Sequence, residues 1–325
     1  MTSLKELQNL HNGLSGKAAR IFAGACRGYC VVPPVFIKVI LTYRCNLSCE
    51  FCSQPRPDPL PPDITLKDIE ILERNIRNSF PARPRLHLFG GEPSIHEDFS
   101  AIAGYLNARG YAVSASTNGA LLYELRQAFS GMREINVSLN TADLGGTQET
   151  LARFGRSKEG RRARVTLACP VTDFSRGRLA GIVERFQDAP VQRIVFQHTT
   201  LPGPLAQGRD MALFREAVAA VKKTRFRIPV SFFPDIRAGD IGKYYCDFCF
   251  PGKKCGCLYP WFVLLVRPDM SVAGCNWLQE PLGDARQEKL SGIWNGPLYR
   301  QFRDRALYAE AKSAPCARCC HRTYY

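Results

Sequence analysis

The chain has 325 residues, 45% of them hydrophobic, and a net charge of +15. That length predicts one large domain with a smaller one beside it. The first twenty residues are polar and the longest apolar runs, such as Trp261–Val266, are short, which excludes a secretory signal and a membrane-spanning helix from the reading. Fourteen cysteines in a chain expected to be cytoplasmic point to metal binding rather than a disulfide framework. The positive charge is spread, with one local cluster over Arg153–Arg164. No RNA-binding signature accompanies it, so it reads as a solvated basic face and nucleic acid is not an expected partner.

In chain order, Leu4–Ala25 has the apolar spacing of an amphipathic helix, within an N-terminal extension of residues 1–34. Residues 35–235 then alternate strand and helix. Strands are predicted over Val35–Leu41, Arg85–Phe89, Tyr111–Ser116, Glu134–Leu139, Arg164–Cys169 and Arg193–His198. Helices are predicted over Ile64–Ser79, Phe99–Ala108, Leu121–Phe129, Thr147–Phe154, Leu179–Gln187 and Met211–Lys223. Six such alternations with buried, β-branched strands imply an α/β fold built on a parallel sheet with right-handed crossovers.

The chemistry-bearing residues collect at the C-terminal ends of those strands. Cys45, Cys49 and Cys52 follow the first strand at C-x3-C-x2-C spacing, and no histidine lies near to complete a zinc site. Three thiolates can hold three corners of a [4Fe–4S] cube and leave one iron open for a reacting ligand. Gly90-Gly91-Glu92-Pro93 follows the second strand, Asn118 the third and Asn140 the fourth. Glycines permit close backbone approach and Glu92 can accept hydrogen bonds from an ammonium.

These residues resemble the radical S-adenosylmethionine (SAM) enzymes, in which SAM chelates the open iron and is split to a 5′-deoxyadenosyl radical. Phe51, the aromatic before the third cysteine, fits that pattern too. The resemblance implies a partial (β/α)6 TIM-type barrel and a SAM site made of Phe51, Gly90, Gly91, Glu92, Pro93, Asn118 and Ser138. Arg153 is carried over as a partner for the SAM carboxylate. His198 and Cys169 read as structural.

Residues 236–325 change in composition. A hairpin, Phe262–Val266 returning through Val272–Gly274, joins Cys257 to Cys275; a helix over Leu298–Leu307 then leads to Cys316 and Cys319. Four cysteines can close around a further metal, and a zinc knob suits them as well as iron and sulfur. The pattern is similar to the auxiliary-cluster domain called twitch, a shortened SPASM domain, with Met270 where that family has glycine. The resemblance thus implies two [4Fe–4S] clusters, SAM as cosubstrate and a reducing partner such as flavodoxin or ferredoxin.

For activity, the chain is similar to neomycin C epimerase of aminoglycoside biosynthesis. That implies radical inversion of a C–H stereocentre on an aminoglycoside or other sugar, with hydrogen returned by a cysteine. Cys249 is the expected donor, with Cys246 second and Cys255 also nearby. Two alternatives stand beside it: an aminocyclitol alcohol dehydrogenase whose auxiliary cluster accepts an electron, and a SPASM-type peptide-modifying enzyme.

Overall fold

The structure, a computed structural model, describes residues 28–49, 51–52, 54, 57–140, 143–171, 178–198, 211–245, 257–277, 280–308 and 319. The expected N-terminal helix, Cys26, Cys246, Cys249, Cys255, Cys316 and Cys320 lie outside them.

Seven parallel strands follow in sequence order: β1 (Phe36–Ile40), β2 (Arg85–Phe89), β3 (Val113–Thr117), β4 (Glu134–Ser138), β5 (Val165–Val171), β6 (Arg193–His198) and β7 (Val230–Phe233). Helices α1 (Leu66–Ser79), α2 (Phe99–Ala108), α3 (Arg126–Ser130), α4 (Leu144–Arg156), α5 (Leu179–Phe186) and α6 (Met211–Lys223) alternate with them. The fold is the expected α/β class with a parallel-strand sheet of partial TIM-barrel type.

Local chemistry explains the elements. Thr65 caps α1: its hydroxyl accepts from Asp68 N–H at 3.1 Å, and the Asp68 carboxylate accepts from Thr65 N–H at 3.1 Å. This reciprocal cap satisfies donors that a helix start leaves open. Ile69, Leu72 and Ile76 then bury one face of α1 against the sheet.

Two regions differ from the sequence expectation. Leu121–Phe129 was expected as one helix, but residues 120–125 form successive turns and only Arg126–Ser130 is helical. Gly119, with φ +83°, starts a tight turn, and Leu122 N–H bonds to Gly119 O three residues back. Strand β7 escaped the sequence reading because Pro229 and Pro234 bracket just four residues, too few for a periodic signal.

The last part of the chain is built onto the same sheet. Strand β8 (Val263–Val266) pairs in parallel with β1, β9 (Ser271–Ala273) turns back against β8, and β10 (Gly283–Asp284) pairs with β9. Among the described residues the sheet is thus ten-stranded, with β1 between β2 and β8. A short helix α7 (Ile241–Tyr245) precedes this unit; α8 (Leu290–Trp294) and α9 (Pro297–Tyr308) follow its strands. Met270 in the β8–β9 turn has φ +67° and is fully buried, which explains the family's glycine there: the turn needs a left-handed residue.

Side chains of α1 tie this unit to the barrel. Arg286 Nε donates to Asp68 Oδ1 at 2.9 Å. Asn75 Nδ2 donates to the carbonyls of Ala285 and Glu288, and Asn75 Oδ1 accepts from Leu290 N–H. Burial alone would raise the Asp68 carboxyl, but the bonds from Arg286 and Thr65 outweigh it and hold it below its ordinary value.

Candidate active site

The two faces of the barrel sheet differ in chemistry. Outward residues such as Ile37, Val39, Leu86, Leu88, Val113, Ala115, Ile135 and Val137 form one apolar core with the helices. Inward residues include Lys38, His87, Ser114, Ser116, Asn136 and Ser138. Barrel interiors are usually filled with branched aliphatics; a polar interior is suited to a polar ligand. Glu134, Thr166 and Arg193 close the lower part of this lumen: Thr166 Oγ1 donates to Glu134 Oε1 at 2.8 Å, and Arg193 pairs with Glu134.

At the upper end the first three strand ends are stitched together. Gly91 N–H donates to Thr42 O at 2.8 Å and Glu92 N–H to Arg44 O at 2.9 Å. The glycines serve this contact: a Cβ on Gly90 would lie 2.2 Å from Thr42 O, and one on Gly91 2.1 Å from Arg44 O. Sequence reasoning assigned their small size to a ligand, whereas the neighbour they meet is the root of the cysteine loop. Arg44 in turn pairs with Asp63, ahead of α1.

Glu92 is 1% exposed. Its Oε1 accepts from Ser94 N–H, the Ser94 hydroxyl at 2.6 Å and the Thr117 hydroxyl at 2.7 Å; its Oε2 accepts from Asn118 N–H at 2.6 Å. A carboxylate has about four acceptor positions, two on each oxygen, so Oε2 is the atom that keeps room for an ammonium. Pro93 opens a short 3-10 turn directly after it. Asn118 Nδ2 donates to Asn46 Oδ1 at 2.7 Å, inside the cysteine loop. The structure therefore brings Gly90, Gly91, Glu92, Pro93 and Asn118 to the loop that holds Cys45, Cys49 and Cys52.

Those three cysteines are partly or fully exposed thiols outside any disulfide. Cys52 N–H bonds to Cys49 O at 3.1 Å, and Leu47 N–H points at Cys45 Sγ at 3.4 Å. A backbone donor aimed at sulfur and a solvent-facing loop fit a cluster site. Among the described residues no three metal-ligating side chains converge on a single ion; a cube asks for a different spacing, since each thiolate meets its own iron. Phe51 is half-buried beside Cys52, and Ser138 ends β4 on the lumen side.

The structure does not bring Arg153 to this site. It lies in the last turn of α4, 45% exposed, over the Tyr123 ring at 4.5 Å and 3.7 Å from Glu124. Helix α4 descends from the upper end, so its last turn is on the outer, lower side of the barrel. His198 faces the helices: its Nδ1 is 2.8 Å from Tyr245 Oη, and Phe214 and Phe232 pack around its ring. Cys169 is fully buried on that side, and burial pushes its thiol pKa up, so both have the structural roles expected.

Two cysteines of the second set, Cys257 and Cys275, lie toward the opposite mouth. Strand β9 runs downward beside β8, which places Cys275 near the level of Val263 and Phe36, about 13 Å of strand below Ile40. Cys257 packs with Phe36, Tyr259 and Val263 at that same lower end, and its N–H bonds to Ala306 O of α9. Cys319 is buried. Lys38 stands between the two mouths, its Nζ 5.5 Å from the Phe89 ring and 5.6 Å from that of Tyr259.

Comparison with known proteins finds two domain profiles in the chain. The profile of the Radical SAM superfamily matches residues 39–165, from β1 to the start of β5. The SPASM profile, an iron–sulfur cluster-binding domain, matches residues 255–320. The chain thus carries a Radical SAM domain followed by a SPASM domain. Its two domains imply SAM and [4Fe–4S] clusters, to which the cysteine loop and the Gly-Gly-Glu-Pro turn are suited.

Similar to part of this chain is a "probable GTP 3′,8-cyclase" of Pyrococcus abyssi, 34% identical over 114 residues, which are 34% of this chain and 36% of the cyclase. Molybdenum cofactor biosynthesis protein 1 of Drosophila melanogaster is 23% identical over 238 residues, covering 67% of this chain and 40% of that protein. The matches thus span well under half of these curated relatives. Among solved structures, Streptococcus suis SuiB bound to the precursor peptide SuiA superposes with a TM-score of 0.63 at 13% identity, over 94% of this chain and 73% of SuiB. The protein anSMEcpe with bound AdoMet gives 0.62 at 14% identity, over 88% of each chain. Both show the fold. Among the described residues no helix is long and apolar enough to cross a membrane.

Sequence reasoning passed over the lumen residues Lys38, His87, Ser114, Ser116 and Asn136. Their signal was the strict polar alternation in Leu-His-Leu-Phe, Val-Ser-Ala-Ser-Thr and Glu-Ile-Asn-Val-Ser, since strands buried on both faces are normally apolar throughout.

Proposed function

We propose that the protein is a radical SAM epimerase that inverts a C–H stereocentre of a sugar, of the aminoglycoside type that its sequence resembles. The observation that carries the placement is the polar inner face of β2–β4 directly beneath the stitched cysteine loop. When bound, SAM and its cluster supply a 5′-deoxyadenosyl radical that removes the hydrogen atom. The chain's part is to hold the substrate in the lumen and exclude water from it. Cys45, Cys49 and Cys52 would hold the cluster, and Phe51, Gly90, Gly91, Glu92, Pro93, Asn118 and Ser138 would meet SAM. Cys249, outside the described residues, gives its S–H hydrogen to the opposite face of the carbon. The sulfur radical left behind regains a thiol with one electron and one proton from a reducing partner of the flavodoxin or ferredoxin kind.

One observation supports a second reading, the alcohol dehydrogenase. Cys257 and Cys275 stand at the far mouth of the same lumen. With Cys316 and Cys319 they would hold an acceptor there for one electron from the substrate radical, while the hydroxyl proton leaves and a ketone remains. Heavy water separates the readings: an inverted product keeps its mass apart from one solvent deuterium, and an oxidised product loses two hydrogens. Anaerobic incubation with SAM, reductant and a panel including neomycin C and GTP, read by mass spectrometry, is the test. Cys249→Ala should still form 5′-deoxyadenosine and lose the epimer; epimer at the native rate would remove Cys249 from the reaction.

A further inference from the structure

His87, at the middle of β2, is 4% exposed and has a serine hydroxyl at each ring nitrogen: Ser114 Oγ at 2.9 Å from Nδ1 and Ser116 Oγ at 3.0 Å from Nε2. The direction of these bonds follows from counting hydrogens. Ser114 Oγ also lies 3.2 Å from Leu86 O, a carbonyl that can only accept. A hydroxyl has one hydrogen, so Ser114 gives it to Leu86 O and accepts from Nδ1–H. Burial, reinforced by the Lys38 cation on the adjacent strand, keeps the ring neutral by moving its pKa well below the ordinary value. A neutral ring has one N–H. Nε2 is therefore the acceptor, and Ser116 must donate to it.

Ser116 is then left with no hydrogen to offer and with lone pairs to spare. It differs from Ser114 in being part-exposed on the lumen side of β3, two residues below Asn118, which holds the cysteine loop. We propose that Ser116, oriented by His87, is an acceptor-only contact in the lumen that selects a substrate presenting a hydroxyl or ammonium donor beside the reacting carbon. A polyol or an aminosugar satisfies it; a group offering only ether, carbonyl or phosphoryl oxygens meets it lone pair to lone pair. Ser116 is the contact and His87 the positioning residue. This inference rests on the reading that the substrate occupies the lumen.

Binding of neomycin C to the SAM-loaded holoenzyme, followed by calorimetry beside turnover, tests it. Ser116→Ala should weaken binding and raise KM about 3- to 10-fold, the usual yield of one hydrogen bond, with kcat within about twofold. His87→Leu should weaken binding similarly, and the double variant no further than Ser116→Ala alone, because the two residues act as one unit. His87→Gln, whose side-chain oxygen still accepts from Ser116, should restore most of the affinity; a residue that merely filled space would be rescued by Leu instead. Native binding and KM in Ser116→Ala, or additive losses in the double variant, overturn the proposal and leave the proposed reaction intact. Binding without inversion leaves the proposal intact and refutes the reaction. No binding of neomycin C to the native holoenzyme refutes both.

Discussion

Replacing Gly91 with alanine tests the stitched strand ends most directly. The added methyl carbon would sit 2.1 Å from Arg44 O and 2.7 Å from Tyr43 O, both backbone atoms of the cysteine-loop root. No rotamer change relieves a backbone contact, so the turn and the loop must separate. Overpacking of this kind costs about 1–3 kcal/mol. The separation also strains the bonds from Gly91 N–H and Glu92 N–H to that root, each contributing about 1 kcal/mol. The expected loss is thus about 3–5 kcal/mol, a large share of the 5–15 kcal/mol that holds a typical native domain, and it falls on the segment that presents Cys45. Gly104→Ala is the control: nothing lies within 4 Å of its added carbon, and in the interior of α2 alanine should stabilise by about 1 kcal/mol. Iron content after anaerobic reconstitution and the denaturant midpoint are the assays. Gly91→Ala with native iron content and a native midpoint would refute the reasoning.

Other outcomes follow from the same kind of accounting. Met270→Gly relieves a left-handed backbone worth about 1–2 kcal/mol but empties a fully buried side-chain site worth about 2–5 kcal/mol; a net loss of about 1–3 kcal/mol is expected, and a raised denaturant midpoint would contradict it. Arg286→Ala should weaken the tie between α1 and the β8–β10 unit and return the Asp68 carboxyl upward, which carboxylate NMR titration can follow; an unmoved Asp68 would count against that pairing. His87 has a folded pKa below its unfolded one, so between the two values the unfolded chain binds a proton that the folded chain does not. Its contribution is therefore fully present above about pH 6.5 and is lost as pH falls toward the depressed value. Denaturant midpoints at pH 7.5 and 5.5 should fall less in His87→Gln than in the native protein, and equal slopes would refute the assignment.

The barrel was legible because its strands and helices carry strong periodic signals: Arg85–Phe89 and Arg193–His198 agree with the structure residue for residue. The ligand-side chemistry was legible in part. The cysteine spacing and the Gly-Gly-Glu-Pro turn pointed to two segments that the structure brings together, yet the reason for the glycines lay in contacts between β1 and β2 that no local pattern encodes. Arg153 failed for a related cause. Its position counted from β4 matched a family role, but the length of α4 carries it down the outside of the barrel to Tyr123. Pairing of β8 with β1 was hidden too, since sequence spacing says nothing about which distant strands become neighbours.

That last pairing has a consequence for synthesis. Strand β1 is made early, but its second edge is covered only by β8, from the far end of the chain. Until the ribosome has released that segment, the half-finished protein carries an unsatisfied row of amides along β1. Contacts between such remote segments form slowly. A nascent chain stalled before Val263 should therefore recruit chaperones more strongly than one stalled after Val266.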